Sequence, residues 1–371
     1  MSLPSNNTYP LKKLKKIISS SFFAALLILP TESGLYAQEK TSTNKKEPFL
    51  LEQVHALGLD SLKKGRTTVH FSQGYEDSAI RIVSRVDRAL RFYADTLNAE
   101  LEEFHLVMAN QEDWKILTEQ QPYGVPKSMG AWQRDNLEAE RVPRLPLPPA
   151  AIVPADAKGA VYDQLLPMKE CLTPSFRDPL ESIGITWEEA SRIYVELITF
   201  HEVAHLITDT EAYPIDMPTG WYREYLANFL SYTYLYHTEP NNARIWDLMT
   251  EVTLECYTPK FGTLEDLMLG KIDAYDYHWY QSMFIQRANE MVENSGMDFI
   301  HEAQRLFSGD SQGKTLTEKT EAVYNNMDSM SEEEATRRLK KINTELISRL
   351  EETAPGFKAW AEGFSDNRKS R

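Results

Sequence analysis

The run Thr199-Phe200-His201-Glu202-Val203-Ala204-His205-Leu206-Ile207 is apolar except for two histidines four residues apart and a glutamate directly after the first. On a helix, residues four apart lie one above the other, so His201 and His205 can aim their rings at one point while Glu202 projects beside them. Two neutral imidazoles so placed can bind a divalent cation, with a carboxylate at hand for proton transfer. Upstream, Ala190, Tyr194, Leu197, His201 and Ala204 or His205 share one helical stripe, so the histidines interrupt a face that otherwise points inward. A buried imidazole needs a partner, and a cation supplies one. The competing reading is a pair of core histidines met by chance, since these five residues alone recur in unrelated chains.

The helix has a legible start. Thr186-Trp187-Glu188-Glu189 places a threonine cap three residues before a glutamate, a capping box, which predicts a helix from there to about Ile207. A catalytic cation takes three protein ligands and keeps one position open. Glu224, after 18 intervening residues from His205, is the candidate third ligand. It sits in Gly220–Asn228, where helix propensity resumes beyond Pro214 and Pro218, and the loop between can reverse the chain. Asp209 and Asp216 are the alternatives for that position.

His-Glu-x-x-His, the 18-residue gap and a Trp-x-x-Glu-x-x-Ala segment together resemble the gluzincin zinc metallopeptidases, the clan of thermolysin and the aminopeptidase N type enzymes. The likeness is greatest to bacterial peptidase MA-like domains and covers about residues 186–307. In those domains a phrase similar to Pro218-Thr219-Gly220-Trp221-Tyr222-Arg223-Glu224-Tyr225-Leu226-Ala227 supplies the glutamate ligand. This chain departs at Tyr225, where the family usually has glycine. It departs again at Asn228, where relatives often place a carboxylate that accepts a bond from a zinc-bound histidine. A metzincin would need glycine at 208 and histidine at 211, where this chain has Thr208 and Glu211.

The resemblance implies one zinc ion on His201, His205 and Glu224, with Glu202 as general base and a peptide or protein as substrate. It also implies an α+β, zincin-like fold with the active-site helix between an N-terminal sheet-and-helix part and a mainly helical part. The stretch Tyr277–Ile285 resembles the helix closing the far side of the cleft in that family, so Tyr280, Tyr277 or His278 would donate to the oxyanion, with Tyr280 the first choice. Two other readings stand beside this one. The departures at Tyr225 and Asn228 suit a zincin-fold binding or assembly module of the cell envelope with little turnover, and an accidental motif suits a structural envelope component.

Four lysines between Lys12 and Lys16 precede an apolar run from Ile17 to Pro30 and the small, polar stretch Ser33–Ala37, the pattern of a signal peptide over residues 1–37. The run is short of the ~18 to 20 apolar residues that span a bilayer. Secretion or export to the periplasm is expected, without stable membrane insertion after cleavage. Removing 1–37, which carries those lysines and Glu32, takes the formal charge from −15 to −18 and disfavours nucleic acid and anionic membrane as partners. The only cysteines, Cys171 and Cys256, can form one disulfide in such a compartment.

Residues 38–48 read as a polar linker. The expected organisation continues with an α/β part at 49–185, a helical metal-binding part at 186–307 and a helical extension at 308–371. Thr67–Phe71 and Phe104–Met108 read as strands, 76–97 as an amphipathic helix and Ala150–Val153 as an edge strand suited to a peptide backbone. Helices are expected over 221–237, 242–254, 278–294, 297–307 and 331–353. Ser331 with Glu334 suggests a capping box for the last, whose charge marks a solvated face on a packed helix rather than a coiled coil. Oligomeric state leaves no trace in the pattern.

Overall fold

The computed structural model describes residues 50–129, 149–210, 212–307 and 312–366. The expected signal peptide, the linker, residues 130–148 and Glu211 lie outside these. In chain order the elements are α1 (Leu50–Leu57), β1 (Asp60–Lys64), β2 (Thr67–Phe71), α2 (Glu76–Leu97), β3 (Phe104–Ala109), α3 (Gln111–Leu117), β4 (Lys127–Met129), β5 (Ala150–Pro154), α4 (Ala160–Leu165) and, after a 3-10 turn at Leu166–Cys171, α5 (Pro174–Ser182). There follow α6 (Trp187–Thr208), α7 (Gly220–Thr238), α8 (Pro240–Cys256), α9 (Leu264–Met268), α10 (Ala274–Ser295), α11 (Asp298–Phe307), α12 (Gln312–Tyr324), α13 (Glu332–Thr353) and α14 (Phe357–Asp366). The class is α+β: one small mixed sheet and a large helical body.

The sheet order is β1-β2-β3-β5-β4, with β2, β3 and β5 parallel and the two outer strands antiparallel to their neighbours. Side chains alternate across a strand, and both faces here are covered. Leu106 and Met108 of β3 with Ala151 and Val153 of β5 join the main core shared with α2 and α6, while Val107, Ala109, Ala150 and Ile152 join a second, smaller core with Leu50, Val54, Trp114 and Leu117 of α1 and α3. The edge assignment for Ala150–Val153 is therefore corrected. β5 is hydrogen-bonded on both sides, and β4, at Lys127–Met129, forms the edge. A continuous apolar run is what a strand buried on both faces requires.

The Thr186 capping box forms in both directions: Thr186 Oγ1 accepts from the Glu189 amide and the Glu189 carboxylate accepts from the Thr186 amide. Only half of the box expected at Ser331 forms. Its hydroxyl accepts from the Glu334 amide, but the Glu334 carboxylate turns to Arg337 and Arg338. The buried face of α13 (Ala335, Leu339, Ile342, Leu346, Leu350) packs within this chain, against α9, α11, α12 and α14.

α7 is buried on nearly every side and runs against α6 and α10. Its Trp221 donates Nε1–H to Asn343 Oδ1 of α13 at 2.8 Å, and Tyr225 packs edge-on against Phe299 and Phe357. Tyr225 thus points into an aromatic core closed by α14, so the departure from glycine serves packing. Cys171 and Cys256 are free thiols, both half-buried. No helix among the described residues is long and apolar enough to cross a membrane.

Candidate metal centre

The C-terminal half of α6 presents His201, Glu202 and His205, all buried, to the second turn of α7. Thr219 caps α7 by accepting the Tyr222 amide, which sets Glu224 one turn into the helix. The loop between is tied at both ends. The Tyr213 amide donates to the Ile207 carbonyl, and Arg223 Nε donates to Asp209 Oδ2 at 2.8 Å. Chain reversal so fixed brings the Glu224 carboxylate between the two imidazoles.

His201 Nε2 lies 3.2 Å from Glu224 Oε2 and His205 Nε2 3.4 Å from Glu224 Oε1, with the rings nearly perpendicular at 4.5 Å between centroids. His201, His205 and Glu224 form a group that could hold a metal ion, their ligand atoms all within 4.8 Å of one another. The spacing suits a cation. Ligands ~2.0 to 2.1 Å from a tetrahedral ion stand about 3.3 Å from each other, longer than the ~2.9 Å of an optimal N–H···O bond. The donor set, two imidazoles and one carboxylate, is one that divalent transition metals accept.

Burial lowers the His205 pKa, and the nearby Arg223 charge lowers it further, so this ring stays neutral, as a ligand must. Burial would also lower that of His201, but hydrogen bonding and charge from Glu224 prevail and raise it. For Glu224, burial works upward, yet His205 and His201 hold its carboxyl well below the usual range. His205 Nδ1 is buried without a hydrogen-bond partner among the described residues, whereas His201 Nδ1 faces Asn228 Oδ1 at 3.2 Å. Asn228, a departure in the sequence, thus fills the place of the orienting acceptor.

α10 supplies the opposite wall. Ala274, Tyr277, His278, Gln281 and Ile285 form one stripe along it and line a cleft of about 260 Å³ that also contains Glu202 and the three ligand candidates. Tyr277 donates its hydroxyl to Glu224 Oε2 at 3.0 Å, and Gln281 Nε2 donates to the same oxygen at 2.8 Å. Lys127 and Ser128 of the edge strand β4 border the cleft. Tyr194, Ile198 and Trp246 also line it, with His278, whose pKa burial lowers to about 4 and whose Nε2 stands 3.3 Å from Thr253 Oγ1.

The expectation for Tyr280 is corrected. It is fully buried, donates its hydroxyl to the Thr263 carbonyl and stacks on Phe364, outside the cleft. At about 100° per residue Tyr280, three positions on, lies about 60° from Tyr277 on the side away from Gln281, His278 and Ile285, so only Tyr277 meets the site. Asp209 is engaged by Arg223, and neither it nor Asp216 belongs to the ligand group. Sequence reasoning missed Arg223 and Gln281 as contributors. The period of the α10 stripe, three and four residues apart, was the signal that placed Gln281 with Tyr277.

Comparison of the chain with known protein families, with curated proteins and with solved structures found no match in any of the three.

Proposed function

We propose that this chain is an exported zinc-dependent peptidase that hydrolyses peptide bonds. The observation that carries the reading is the convergence of His201 Nε2, His205 Nε2 and the Glu224 carboxylate beside a second buried carboxylate, Glu202, in one cleft. Zinc held there supplies Lewis acidity, polarising a carbonyl and making water a nucleophile at neutral pH.

Glu202 takes the proton from the attacking water and returns it to the leaving amine. Tyr277, whose hydroxyl already points into the cleft, is the group placed to donate toward charge developing on the carbonyl oxygen. The edge strand β4 leaves one side unpaired among the described strands, and an extended substrate can add to it by main-chain hydrogen bonds. Both departures that favoured an inactive binding module have local reasons, Tyr225 in packing and Asn228 in its contact with His201.

The test is to purify the chain, measure bound metal and follow degradation of a mixed peptide pool by the parent and by Glu202→Gln. Stoichiometric zinc with Glu202-dependent cleavage supports the peptidase. Zinc without such cleavage points to a binding module, and absence of zinc removes the reading altogether.

A further inference from the structure

Four hydrogen bonds link two of the ligand candidates through a pair of amides. Asn228 Nδ2 donates to the Glu224 main-chain carbonyl at 2.9 Å and to Gln281 Oε1 at 2.6 Å. Gln281 Nε2 donates to Glu224 Oε2 at 2.8 Å, and Asn228 Oδ1 stands 3.2 Å from His201 Nδ1. An amide has one donating and one accepting end, so orienting one end orients the other.

We propose that Gln281 and Asn228 act as a matched amide pair that stands in for a carboxylate beneath His201 and fixes which ring nitrogen of His201 is free to bind a cation. The polarity follows from groups that only accept. The Glu224 carboxylate requires the NH2 end of Gln281, which turns Gln281 Oε1 toward Asn228. The Glu224 carbonyl and Gln281 Oε1 both require the NH2 end of Asn228, which turns Oδ1 toward His201. His201 must then keep a proton on Nδ1, so that Nε2, 3.2 Å from Glu224 Oε2, is the nitrogen that gives up its proton when a cation binds. Gln281, nine-tenths buried, is a positioning residue, acting on the centre through Glu224 and Asn228.

The pair also explains why asparagine, and not aspartate, occupies position 228. Aspartate would accept from His201 Nδ1–H, but it would meet Gln281 Oε1 with a second acceptor and lose the bond to the Glu224 carbonyl. The inference rests on the metal-binding part of the proposed function and is independent of peptide cleavage.

The experiment is a double-mutant cycle in zinc affinity, read by competition with a chromogenic chelator on the full chain. Gln281→Met, of similar volume, should weaken zinc binding about 10- to 100-fold, the scale of losing an orienting partner. Asn228→Asp should weaken binding in the parent background and strengthen it in the Gln281→Met background, where the opposing oxygen is gone. A role through charge or general packing gives one sign in both backgrounds, and that result overturns the proposal, as does parent-like affinity of Gln281→Met.

A second readout needs no metal. In zinc-free protein labelled with 15N-histidine, the His201 resonances, assigned by their loss in His201→Gln, should report a proton on Nδ1 whose resonance shifts in Gln281→Met. Protonation on Nε2 alone sinks the relay. A parent that binds no zinc yet shows the Nδ1–H form would discard the metalloenzyme and keep the amide pair.

Discussion

Arg223 grips Asp209 with two donors on one carboxylate oxygen, joining the C-cap of α6 to the first turn of α7 next to Glu224. Both side chains are nearly buried, at 13% and 11% exposure, and Arg223 Nη1 also lies 3.6 Å from Glu224 Oε1. Breaking such a pair strands a charge, at a cost of about 3–5 kcal/mol. Arg223→Met is expected to lower the unfolding free energy measured in urea by that amount and to weaken zinc binding with it. An unfolding free energy within about 0.5 kcal/mol of the parent would show that the bridge does not hold the reversal.

Zinc should stabilise the folded chain through the same three ligands. At a free concentration 100-fold above Kd, binding adds about 2.7 kcal/mol, visible as a rise in Tm that a chelator reverses. Glu224→Leu removes a ligand, and its Tm is expected to be indifferent to zinc. A rise in that variant equal to the parent's would place the cation elsewhere.

Tyr277 and Tyr280 should separate cleanly. Tyr277→Phe takes away the hydroxyl in the cleft and should lower kcat by about 100-fold, the scale of losing one oxyanion donor. Tyr280→Phe removes one of the two donors to the Thr263 carbonyl, which keeps the Leu267 amide, and should cost about 1 kcal/mol of stability with little change in kcat. Peptide turnover and urea unfolding on both variants check the pair, and a reversed pattern would restore Tyr280 to the site.

His278 ties stability to pH. Its pKa is about 4 in the fold against an ordinary 6.5, because burial disfavours the charged ring. As pH falls, the unfolded chain takes the proton first, so the His278 contribution is complete above about pH 6.5 and is lost toward pH 4. Its size is on the order of 3 kcal/mol. Asp247 has the opposite sign, since burial raises its carboxyl to about 6. The informative quantity is the difference between parent and His278→Gln in chemical denaturation at pH 7 and pH 4.5. The gap should favour the parent more at pH 7, and a gap independent of pH would contradict the assignment.

Periodicity alone located the helix bearing His201 and His205, its threonine cap, the helix bearing Glu224 and the strands at Thr67 and Phe104, because these depend on local backbone preference and on one buried face. The position of Ala150–Pro154 inside the sheet was not legible, since an apolar run of that length fits either an edge or an interior strand until its neighbours are known. The same holds for Tyr277 against Tyr280, which lie on one short aromatic stretch and part company only through the rotation of α10 against α6 and α7.

The sequence therefore determined the candidate ligands as a set, because two of them share a helix turn and the third begins the next helix. Only the tertiary structure decided their surroundings: Asn228 beneath His201, Gln281 and Tyr277 on Glu224, Arg223 on Asp209. Those contacts join residues up to 57 positions apart on three helices. Hydrogen-bond polarity across such distances has no local pattern to betray it, since it depends on which atoms meet once the helices pack.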